Sequence, residues 1–190
     1  MSSKEKILQV ALDQFYKRGY QSTSVDDIIE QAGVSKSNFY YHFKSKEDLG
    51  IKVLSLRSEE FDHMLGSTLC NADLNPADRL LKFLNFLSDS QEARLEKGGC
   101  PFGNLVAEMA DHSERFRCQL SEMFGGLTHQ IAQLVAEGQK TGYFRNDVDT
   151  DCLATLVVQT MQGMLLMTKC HKSVETLGQG SRVLIKLIQA

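Results

Sequence analysis

Proline is scarce: Pro76 and Pro101 are the only two in 190 residues. A proline inside a helix costs about 3 kcal/mol, so the long stretches between them stay open to helix. Long apolar runs are missing too. None approaches the ~20 residues of a membrane span, which excludes a spanning protein. The five cysteines (Cys70, Cys100, Cys118, Cys152 and Cys170) are odd in number, widely spaced and contain no CxxC pair. That pattern excludes a disulfide framework and a structural zinc site, and the histidines show no metal-ligand spacing. There is no phosphate loop and no nucleophile–base constellation, so no enzyme, metal or cofactor is expected. Acidic residues are absent from Gly33 to Lys46, where Lys36, His42, Lys44 and Lys46 fall. The net charge of −3 is therefore unevenly spread, and a local basic face is enough to meet phosphates.

Apolar residues recur at helical spacing almost throughout. With 42% hydrophobic and 24% charged residues, the composition is that of an ordinary globular protein. The opening MSSKEKILQVALDQF is amphipathic and carries acids, so it reads as a helix rather than a secretion signal. A cytoplasmic protein with reduced thiols is expected.

The first helix, capped by Ser2 or Ser3, buries Ile7, Leu8, Ala11, Leu12 and Phe15 and stops at Gly19. Ser24 caps the second, with Asp26 and Asp27 in its first turn and Gly33 at its end. Ser35 then caps a short helix, Lys36 to His42. A helix, a glycine turn and a capped short helix form the helix-turn-helix layout. Ser45-Lys46-Glu47-Asp48 opens a long fourth helix reaching about Cys70. Asn75-Pro76 starts a fifth. A break at Gly98-Gly99-Cys100-Pro101 leads to a short helix ending near Ala110. A long helix through Gly125-Gly126 follows, then one capped near Asp149, and a last from Glu175 to Gln189. The fold class is all-α: a three-helix head, a long fourth helix and a C-terminal bundle, about nine helices in all.

Phe39 and Phe43 are four residues apart, so they share a face and should pack onto the first two helices. Lys36, Ser37, Asn38 and Tyr40 are then turned outward, where a recognition helix meets base edges. Asn can pair bidentately with adenine and Lys can donate to guanine. Tyr40 and Tyr41 cannot both be buried on so short a helix; at least one should face a partner.

The run Thr23-Ser24-Val25-Asp26-Asp27-Ile28, followed by Ala32-Gly33-Val34-Ser35-Lys36-Ser37-Asn38-Phe39-Tyr40-Tyr41-His42-Phe43-Lys44-Ser45-Lys46-Glu47-Asp48-Leu49, resembles the head of the TetR family of transcription regulators. The resemblance implies a helix-turn-helix DNA-binding domain over 1–47 and a ligand-binding, dimerising domain over 48–190. It implies that Thr23, Tyr41, His42 and Lys46 contact DNA phosphates. It also implies a repressor that binds a two-fold double-stranded operator as a homodimer and answers a small-molecule effector.

The residues bear on the dimer and the effector. The helix from Thr150 to Cys170 is too apolar for the surface of a monomer, and the last helix is amphipathic, so these two helices are the expected dimer interface. Burial of both within one chain is the alternative. Candidate pocket walls are Phe61, Met64, Phe83, Phe86 and Leu87, then Phe102 and Met109, then Phe124, Met161 and Met164; Met suits varied apolar ligands. For any one of these, ordinary core is the simpler expectation. Asn104 is a polar group that would orient a ligand. Cys100 stands before a helix start, where dipole and free N–H groups favour a thiolate. Gly99-Cys100-Pro101-Phe102-Gly103-Asn104-Leu105 resembles a Gly-Cys element of some family members, some of which respond to electrophiles or oxidants. A small buried apolar residue is the competing and somewhat simpler reading of Cys100.

Overall fold

The computed structural model describes residues 1–93 and 98–190. Among them the chain forms nine α-helices: α1 (Ser3–Arg18), α2 (Val25–Ala32), α3 (Lys36–His42), α4 (Lys46–Thr68), α5 (Pro76–Glu92), α6 (Pro101–Met109), α7 (Glu114–Thr141), α8 (Thr150–His171) and α9 (Glu175–Ile188). An isolated antiparallel bridge between Phe144 and Gln189 is the one β-type pairing described. Among the described residues no helix is long and apolar enough to cross a membrane.

The starts of the helices are set by local chemistry. The Ser2 hydroxyl accepts from the Glu5 amide, and the Glu5 carboxylate accepts from the Ser2 amide, closing a capping box. Ser24 and Asp27 repeat the arrangement on α2. Asn75 caps α5, with Pro76 at its first position. α7 runs unbroken through Gly125-Gly126.

The helices fall into two compact units, Met1–Glu60 with Pro101–Leu120, and Phe61–Cys100 with Ser121–Ala190. In the first, α1, α2, α3 and the start of α4 bury Ile7, Ala11, Ile28, Ala32, Phe39, Phe43, Leu49 and Val53 in one cluster. Tyr20, which follows α1, meets Phe116 of α7 edge to face, with centroids 5.0 Å apart. Gly50 makes room for both rings: a Cβ there would lie 2.6 Å from Tyr20 and 2.7 Å from Phe116.

The second unit is a bundle around Leu80, Phe83 and Leu84 of α5, Leu127 and Ile131 of α7, Leu153, Ala154 and Val157 of α8, and Leu177, Leu184 and Ile188 of α9. Arg79 of α5 grips Glu137 of α7 through two parallel hydrogen bonds of 2.8 and 2.7 Å. Helix α8 does not bury its whole circumference. Leu153, Ala154, Val157, Val158, Met161 and Leu165 are inside, while Leu156, Leu166 and Met167 are exposed. On α9, Val183 and Leu187 are likewise exposed. Burial of both helices within one chain, the alternative to a dimer interface, is therefore incomplete.

The Phe144 ring, almost wholly buried, lies where a side chain at position 138 would go: a Cβ on Gly138 would sit 2.0 Å from it. Gly138→Ala must displace that ring, and overpacking of this kind costs about 1–3 kcal/mol. A urea melt should show a lower midpoint with unchanged slope; an unchanged midpoint would mean that the ring moves without cost.

Candidate DNA-binding site

The short helix α3 is the candidate reading element. At seven residues it is far too short to be stable alone. Its N-cap Ser35 accepts from the Asn38 amide at 3.2 Å. Gly33 turns the chain into it at φ +62°, a left-handed conformation that glycine adopts without strain. The Gly33 and Val34 amides donate to the last carbonyls of α2. Phe39, 0% exposed, and Phe43 then anchor α3 to α1 and α2.

That anchoring settles which residues face outward. Lys36 and Ser37 are exposed, Tyr40 is 48% exposed and Tyr41 83%. The tyrosines are held on their inner edges: Tyr40 packs edge to face on Phe39 and Tyr41 on His42, at 5.2 and 4.9 Å between centroids. Large exposed aromatic rings with polar tips are suited to a polar, grooved partner.

Three residues expected at this face are placed differently from the simple reading. Thr23 is fully buried; its hydroxyl donates to the Gly19 carbonyl at 2.8 Å. That bond locks the turn between α1 and α2. Asn38 is half-buried, and its side-chain oxygen is buried with no hydrogen-bond partner among the described residues. It must turn outward before it can accept from adenine. Lys36 is engaged by Asp26 of α2, at 3.3 Å. The acid-free run from Gly33 to Lys46 is thus supplied with a carboxylate from outside it.

Lys46, at the start of α4, is half-buried rather than extended into solvent. Its ammonium donates to the Gln21 carbonyl at 3.4 Å and lies 4.3 Å from the centre of the Tyr20 ring. Burial lowers its pKa, while the charges of Glu108 and Asp27 oppose that shift. Burial also pushes the Tyr20 phenol up to about 12, with Glu47 adding to the effect, so Tyr20 stays neutral and keeps its ring face available to the cation. Asp27 is held below the usual carboxylate range, chiefly by its hydrogen bonds to Ser24.

The expected pocket residues are divided. Phe102, Asn104 and Met109 belong to α6 in the first unit; Phe102 and Met109 are buried and Asn104 half-buried. In the second unit Phe83, Leu87, Met161 and Met164 are core, with Phe61, Met64, Cys100 and Phe124 half-buried against it. Phe86 is exposed and lines an open groove of about 490 Å³ with Leu74, Leu81, Lys82, Asp78 and Asp89. Before Cys100, the Gln91 side chain, itself buried, accepts from the Gly99 amide at 2.6 Å and donates to its carbonyl at 3.3 Å.

Comparison with known proteins bears on both parts of the chain. Residues 7–52 match the family model described as bacterial regulatory proteins, tetR family. Residues 76–184 match that of the tetracyclin repressor-like C-terminal domain. The chain is 31% identical over 176 residues to the HTH-type transcriptional repressor DhaR of Mycobacterium sp. (strain GP1), covering 93% of this chain and 87% of that one. It is 28% identical over 165 residues to the transcriptional regulator AcuR of Cereibacter sphaeroides, covering 87% of this chain and 75% of the other. Among solved structures, the regulatory protein TetR from Rhodobacter sphaeroides superposes with a TM-score of 0.89 at 27% identity, covering 97% of each chain.

The Lys36–Asp26 pair generates a test of the reading face. Both side chains are largely exposed, so the pair is worth at most about 1 kcal/mol. Asp26→Asn should tighten binding to a fluorescent mixed-sequence DNA duplex by about two- to fivefold at low salt, the gain fading as salt rises. Unchanged or weaker binding would show that Asp26 lies off the DNA-facing surface.

Proposed function

We propose, on the premise that the chain belongs to the TetR family of DNA-binding transcriptional regulators, that it is an effector-responsive repressor acting as a homodimer on a two-fold operator. The observation carrying this reading is the division of α3 into two faces: Phe39 and Phe43 buried in the head, Lys36, Ser37, Tyr40 and Tyr41 outside. Such a helix enters a major groove with its N-terminal residues on base edges. Lys36, Ser37, Asn38 and Tyr40 read bases in this account. Tyr41, His42 and Lys46 hold phosphates. Residues 1–47 form the DNA-binding domain and 48–190 the effector and dimer domain of a cytoplasmic protein that works by binding rather than turnover.

The dimer reading is supported by Leu156, Leu166 and Met167 on α8 and Val183 and Leu187 on α9, all apolar and exposed in the single chain. Leu166 is 63% and Leu187 61% exposed. Exposed apolar residues on two neighbouring helices suit a two-fold interface of four helices. A dimer places two α3 helices on half-sites one helical turn apart or a multiple of it. The double variant Leu166→Glu, Leu187→Glu should sediment as a folded monomer, and its binding to a two-fold site selected from random DNA should weaken on the order of 100-fold. A wild-type chain that sediments as a monomer would overturn the reading.

The effector acts on the bundle and shifts the population of heads able to bind DNA. The signal is a small molecule, or a thiol-reactive compound at Cys100. Cys100 is half-buried against the bundle core, and the turn before it is gripped by Gln91. N-ethylmaleimide should release the wild-type protein from DNA, and Cys100→Ser should resist. Equal release from both would rule Cys100 out as the sensor.

A further inference from the structure

We propose that Glu108, at the C-terminal end of α6 and outside the helix-turn-helix, is a positioning residue for the DNA phosphate contact at Lys46. The inference rests on the reading of Lys46 as a phosphate contact. Gln21 stands between the two residues. Its amide donates to Glu108 Oε2 at 2.9 Å, and its carbonyl accepts from Lys46 Nζ at 3.4 Å. The Gln21 side-chain amide also reaches Met109 Sδ at 3.3 Å and the Glu108 carbonyl at 3.5 Å. The turn between α1 and α2 is therefore held by α6 on one side and holds Lys46 on the other.

The turn is shaped to admit the carboxylate. Gly19 has φ +88°, and a Cβ there would lie 2.9 Å from Glu108 Oε1. The next residue, Tyr20, carries the ring under the Lys46 ammonium and rests on Phe116 of α7. The first turn of α4 is braced from the same side. Ser113 donates to Glu47, and Arg115 reaches Glu47 at 3.3 Å and Asp48 at 3.0 Å. Lys46 thus has its orientation set by residues about 60 positions further along the chain. Glu108 also helps to keep the partly buried ammonium charged. Because α6 follows Cys100 directly in sequence, a shift of α6 moves the carboxylate that fixes the turn.

Two neutral variants separate positioning from charge. Glu108→Gln keeps an oxygen to accept from the Gln21 amide, whereas Glu108→Ala does not. Binding of the full chain to a fluorescent mixed-sequence DNA duplex is measured across salt concentrations. Losing one phosphate contact flattens the log K versus log salt slope by about 0.9. Lys46→Ala should show that loss with several-fold weaker binding. Glu108→Ala should reproduce it, Glu108→Gln should keep the wild-type slope, and Glu108→Ala in a Lys46→Ala background should add nothing. Glu108→Leu, similar in bulk and without an acceptor, replaces alanine if that variant does not fold. Glu108→Ala and Glu108→Gln both tightening binding would overturn the inference, since that is the mark of charge removal alone. Additive effects of Glu108→Ala and Lys46→Ala would overturn it too. A Lys46→Ala protein with wild-type affinity and slope would instead bring down the phosphate contact itself.

Discussion

The arrangement turns on the burial of Phe39. Helix α3 has seven residues, and no helix of that length holds together in water on propensity alone. Its existence is supplied by the hydrophobic contact of Phe39, aided by Phe43, with Ile7, Ala11, Ile28 and Ala32. Burying a phenylalanine side chain contributes about 1.5–3 kcal/mol, enough to decide a helix that is otherwise marginal. The same contact fixes the rotation of α3 about its axis. Every outward residue, from Lys36 to Tyr41, points where it does because Phe39 points in.

The features legible in the sequence are those with local causes. Caps at Ser2, Ser24, Ser35, Asn75 and Asp149 mark helix starts by hydrogen bonds within three residues. Gly33 marks the turn because few other residues adopt its backbone conformation. The spacing of Phe39 and Phe43 gives the buried face of α3. The apolar excess of α8 signals that one of its faces needs cover, and Leu156, Leu166 and Met167 now identify that face.

What could not be read has non-local causes. Asp26 reaches Lys36 from the preceding helix, so the acid-free stretch taken alone reads as more basic than the folded head is. Thr23 fits the family pattern of phosphate contacts, yet the turn folds its hydroxyl back onto Gly19. Glu108 and Arg115 meet the head across 87 and 68 or fewer positions of sequence, respectively. No periodicity or motif brings residues that distant together; only the packing of α6 and α7 on the α1–α2 turn and the start of α4 does. Met and Phe at helical spacing fill cores as readily as they line cavities, so composition alone does not distinguish pocket walls from core.

The head and the bundle contribute different chemistry to one task. The head presents side chains chemically suited to base edges and phosphates, and the bundle leaves apolar residues of α8 and α9 exposed. A repressor needs both, because two half-sites are read only when two heads are tied together. Selection of binding sites from random double-stranded DNA by the intact chain tests that claim most directly. The account predicts enrichment of a two-fold symmetric sequence with half-sites about one helical turn apart or a multiple of it; enrichment of no sequence, or of a single unpaired half-site, would contradict it.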